Sequence, residues 1–120
     1  MIYEVGMLCK HFKGKKLEEK NIYKILAVGA SGSDIDESKI MYTGDGLLKS
    51  AENLVVYVNI FQNNKFFARE YEDMASELSL DKQQQFAQKL RVQPLTKEEI
   101  AIVKSSQFIE LKEVQSIEKY

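Results

Sequence analysis

The sequence predicts an α+β fold, on three observations. Segments rich in β-branched and aromatic residues crowd the first 70 positions, apolar spacing turns helical from about residue 71, and an alternating stretch returns at 107–113. Strands, then helices, then a strand is the order of α+β rather than of alternating βαβ units. A chain of 120 residues buries about two-thirds of its unfolded surface, so we read residues 1–120 as one domain. Its antiparallel β-roll core spans about 3–70, a helical addition about 71–105 and a last strand about 107–113.

The elements follow in order. A first strand runs from Val5 to Phe12 and ends at Lys13-Gly14, where glycine permits a turn. Ile22 to Val28 and Asn53 to Phe61 are the clearest strands, both between polar, turn-forming stretches. The polar excursion between Ala30 and Asn53 carries a short strand at residues 39–43 and a turn at Gly44-Asp45-Gly46. Asn63-Asn64 suits a two-residue hairpin turn before Phe66 to Arg69, because asparagine tolerates positive φ. Tyr71, Met74, Ala75 and Leu78 are spaced for a helix, and the acids around Tyr71 suit its N-terminus. Asp81 is placed to cap a second helix presenting Phe86, Ala87 and Leu90, closed by Pro94. Thr96 and Glu99 have capping-box spacing, with Ile100 and Val103 behind them. Phe108 to Lys112 alternates and returns as the last strand.

Composition narrows the class. With 44% hydrophobic and 29% charged residues and a net charge of -1, the chain is not of the disordered type. One cysteine cannot form an internal disulfide, and no apolar run approaches the ~20 residues of a membrane span. The start of the chain lacks a secretory signal pattern, so a cytoplasmic protein without membrane contact is expected. Charge is uneven along the chain. Residues 9–24 hold six lysines and two acids, a local +4, whereas residues 70–81 hold five acids and no base. The basic segment suits a phosphate-contacting surface, or lysines that solubilise an exposed hairpin and protect a sheet edge.

No residue set forms a catalytic constellation, and no metal or cofactor is expected. Cys9 and His11 share a strand face, yet no second pair of ligands accompanies them. The glycines after Val28 and at 44–46 lack phosphate-loop and EF-hand frames. Tyr23, Tyr57, Phe61, Phe66 and Phe67 fit either a stacking platform or ordinary cross-strand packing. Arg69, one of two arginines, sits where an apolar strand meets an acidic helix. Its planar fork suits a carboxylate or phosphate ligand, or a tie to Glu72 or Asp73.

Four blocks in order, Lys10-His11-Phe12-Lys13-Gly14, Tyr23-Lys24-Ile25-Leu26, Leu54-Val55-Val56-Tyr57 and Phe67-Ala68-Arg69, are followed by Tyr71 and Met74. Together, over residues about 6–78, they resemble the bacterial domain-of-unknown-function family 1653. The chain departs from that family's pattern at three places. The 30–53 stretch, without histidine, replaces a His-Ser/Thr-Glu-Thr turn; Cys9 stands for a tyrosine, and Glu70 for a proline. The resemblance implies a small SH3-like β-barrel core and no reaction. It makes His11, Lys13, Tyr57 and Arg69 the candidate ligand-binding residues. The first function expected is an interaction module touching nucleic acid or a protein segment through the basic 10–24 hairpin. The alternative is a small-molecule or enzyme-like pocket around His11, Tyr57 and Arg69; self-association as a homo-oligomer is the third.

Overall fold

A computed structural model describes residues 2–105 of the chain; the strand expected at 107–113 lies outside them. Six strands, β1 (Leu8–His11), β2 (Ile22–Ala30), β3 (Ile40–Tyr42), β4 (Leu54–Asn59), β5 (Gln62–Glu70) and β6 (Val92–Pro94), form one sheet. Their order is β3-β5-β4-β2-β1-β6. Three helices accompany them: α1 (Tyr71–Met74), α2 (Leu80–Phe86) and α3 (Lys97–Ser105). The α+β class expected from the sequence is the observed one. The sheet is open, with β3 and β6 as its edges, rather than closed into a barrel, and it is mixed: β3 runs parallel to β5 while the other pairs are antiparallel.

All six residues of β4 are buried, as a continuous apolar run in a central strand should be. Alternation sends them to two faces. Val55 and Tyr57 join Tyr3, Cys9, Ile25, Met74 and Val92 on one face. Leu54 and Val56 join Ile40, Leu48 and Ala68 on the other, under the 30–53 excursion. A third cluster, Leu8, Ile22, Ile60, Leu95 and Val103, is closed by α3. Register shifts at Ile25/Ala27 and Val28/Ala30 bend β2.

The excursion is held by two single 3-10 turns, Gly32–Asp34 and Leu48–Ser50, seated against each other. A Cβ on Gly32 would lie 1.6 Å from the Leu48 carbonyl oxygen, so only glycine permits that approach. The short strand expected at 39–43 is present as β3.

Several local expectations are corrected. The hairpin turns at Ile60-Phe61, with Asn59 opposite Gln62, not at Asn63-Asn64. The Phe61 N–H donates to the Asn59 side-chain oxygen (2.9 Å), so Asn59 makes the turn. The first strand begins at Leu8 rather than Val5, after Gly6 at φ +88. Helix α1 is a single turn. Helix α2 is capped by Ser79, whose hydroxyl accepts from the Lys82 N–H (3.4 Å), and stops at Ala87 in the left-handed region. Asp81 therefore lies in its first turn and Leu90 beyond its end. Pro94 closes no helix; it stands in β6, an edge strand, where a missing N–H costs little. The Thr96–Glu99 capping box is present, with bonds of 3.1 and 3.0 Å. Among the described residues no helix is long and apolar enough to cross a membrane.

Candidate functional site

Sheet register sets a row of rings on the Tyr57 face. Cys9 pairs with Tyr23, Ile25 with Tyr57, Tyr57 with Phe67 and Val55 with Arg69, and directly paired residues share a face. Ring centroids are 6.4 Å apart for His11–Tyr23, 4.7 Å for Tyr23–Tyr57 and 5.6 Å for Tyr57–Phe67. The row thus crosses β1, β2, β4 and β5. Tyr57 is buried, and the other three are half-buried. Phe66 packs into the opposite core.

Beside this row lies a cleft of about 350 Å³ lined by Thr43, Gly44, Asp45, Arg69, Glu70, Asp73 and Arg91. Each wall follows from local structure. Arg69 leaves the end of β5, and Asp73, one turn later in α1, faces it with Arg69 Nε 2.5 Å from Asp73 Oδ2. Arg91, just before β6, brings its own Nε to 3.9 Å from Asp73 Oδ1. Both nitrogens are buried, and each meets Asp73 as an ion pair rather than through an aligned hydrogen bond. Tyr42 in β3 shares its single O–H between Glu70 (2.9 Å) and the Asp45 backbone carbonyl (3.1 Å), shaping the opposite wall.

Electrostatics follow from burial and these charges. Burial, then Arg69, Lys13, Arg91 and Lys20, lowers the His11 imidazole to about 4, so it is neutral at pH 7. Burial raises the Tyr57 phenol, against a hydrogen bond with Thr43 and the charge of Arg69. Burial alone pushes the Cys9 thiol up to about 12, leaving it little thiolate character.

Of the residues singled out in the sequence, His11, Tyr57 and Arg69 share one sheet face, and Arg69 lines the cleft. His11 and Tyr57 stand in the ring row and are not part of its lining. Lys13 is exposed beyond β1 and only its backbone N–H reaches His11 Nδ1 (3.4 Å). The tie of Arg69 to Asp73 is present. The basic segment is reduced from within: Lys10 Nζ turns to Glu99 (2.6 Å), and Lys20 Nζ donates to the carbonyls of Phe12 (2.8 Å) and Phe86 (3.0 Å). Arg91 and the 43–45 turn were not singled out as site residues. Among the described residues no group of three or more His, Cys, Asp or Glu is placed to hold a metal ion. No family model, curated protein or solved structure matches the chain.

Proposed function

We propose that this chain is a small-ligand-binding module whose site is the cleft between the end of β5, α1, the turn after β3 and Arg91. One observation carries the reading. Both arginines of the chain converge on a single carboxylate at the wall of a cleft. A guanidinium carries five N–H donors, so two of them on one carboxylate leave donors for a second acceptor. The cleft is also of the size that small ligands occupy, roughly 300–1,000 Å³. The reading assigns binding and no reaction.

Contact with nucleic acid or a protein segment through residues 10–24 is less well supported. Lys10 and Lys20 are spent inside the molecule, and Lys13, Lys15, Lys16 and Lys24 remain for an outside partner. The likeness to the bacterial family belongs to the same proposal. On that view β1–β5, coiled by the bulges in β2, are the SH3-like core, and the 30–53 excursion stands where the family has its histidine turn.

Amide chemical shifts test the choice. Mononucleotides, dicarboxylates and free amino acids added separately should include a ligand that moves residues 43–45, 69–73 and 91 together. RNA or DNA that moves Lys13 to Lys16 at low salt, with the cleft untouched by every small molecule, would overturn the proposal.

A further inference from the structure

We infer that the cleft takes a zwitterion of the α-amino-acid type, its carboxylate against Arg69 and Arg91 and its ammonium toward Asp45 and Glu70. The inference rests on the cleft being the binding site, and it names the ligand class.

The charges of the lining decide the class. Two cations, Arg69 and Arg91, face three carboxylates, Asp45, Glu70 and Asp73. A simple anion would find its arginines but enter a lining of net charge -1, and a simple cation would meet two guanidiniums. A ligand carrying both signs opposes neither.

The charged residues of the lining also have different neighbours. Arg91 lies on the Phe12 side, its guanidinium 5.7 Å from that ring, and Arg69 stands on β5 two residues past Phe67, opposite Val55. The Glu70 carboxylate and the Asp45 backbone carbonyl meet at the Tyr42 hydroxyl. Tyr42 is raised by burial and then by Glu70, Asp45 and Asp73, whereas His11 is lowered by burial and then by Arg69, Lys13 and Arg91.

Asp73 shows what the cationic side accepts. Its carboxylate already sits between the two guanidiniums, 2.5 Å from one Nε and 3.9 Å from the other. The looser contact leaves Arg91 as the guanidinium with most capacity for a second carboxylate. Charge-assisted bonds of a guanidinium to a carboxylate are the strong kind, and a matched ammonium site makes loss of either ligand group costly.

Calorimetric titration of the intact protein with each of the twenty free L-amino acids tests this. The tightest binder is then compared with its decarboxylated amine and its deaminated acid. At least one amino acid should bind, ten-fold or more tighter than both derivatives. Arg91→Gln should weaken it at least ten-fold. Glu70→Gln should narrow the gap between the amino acid and its deaminated acid, a change in selectivity that a loss of folding does not produce. Equal binding of the deaminated acid, or of inorganic phosphate, would overturn the zwitterion while keeping the cleft as a site. If no amino acid binds, the inference falls; a mononucleotide or dicarboxylate shifting residues 43–45 and 69–73 would then keep the broader reading, and silence from those probes too would end both.

Discussion

His11 resists the proton that an unfolded chain would accept in mildly acid solution. Its folded value is about 4 against 6.5 for the free side chain. Between those values the unfolded state binds a proton that the folded state does not, so stability falls as pH drops through that window. The urea midpoint should therefore decline from pH 6.5 to 4, and His11→Asn should flatten that decline; an unchanged slope would contradict the burial argument. Burial opposes ionisation of Glu99, but Lys10 and Thr96 hold its carboxyl below the usual range, so its contribution is lost at still lower pH. Asp73 is a different case, since its side chain is 43% exposed. Asp73→Asn should cost only about 0.5–1 kcal/mol in denaturant unfolding. The pairing of Arg69 with Asp73 was legible because the two are one helical turn apart. Arg91 was not, because it reaches Asp73 from the far side of the sheet order, through a strand with no propensity signal of its own.

Among the elements, α3 is the best supported by local sequence. Glu99 uses one oxygen for the Thr96 N–H and the other for Lys10 Nζ. Thr96→Ala should lose about 1 kcal/mol in thermal or urea unfolding, as a lost N-cap does. Glu99→Gln retains a capping acceptor but leaves Lys10, 9% exposed, without its counter-charge. It should cost more, roughly 2 kcal/mol, short of the ~3–5 seen when a fully buried pair is broken. Losses in the reverse order would place the weight of this helix on its cap alone. The capping box could be read because all its partners lie within four residues. Pro94 was misread for the same reason: as a local signal it ends helices, but β6 exists only because the distant β1 edge offers a partner, Cys9 opposite Pro94. The hairpin turn was misplaced because three asparagines compete there, and the one that bonds back to Phe61 is Asn59.

For the whole molecule, the 31–53 excursion decides how the sheet is completed. Its two turns meet at Gly32, whose backbone N–H also donates to the Ala51 carbonyl (2.8 Å). Gly32→Ala should lower stability by more than about 3 kcal/mol, beyond ordinary overpacking, because the clash is with backbone. A denaturant midpoint equal to that of the parent protein would mean the turns do not touch in solution. A connection of that length is seldom structureless, but nothing local shows that it returns β3 parallel to β5, since Ile40 to Tyr42 meet Phe66 to Ala68 only in the finished sheet. The opposite edge has a consequence of another kind. Cys9 is wholly buried under Val92 and Tyr3, whose hydroxyl donates to the Val92 carbonyl (2.5 Å). A ribosome therefore delivers this thiol some eighty residues before Val92, and alkylation of Cys9 on nascent chains should cease only once β6 has emerged and joined the sheet.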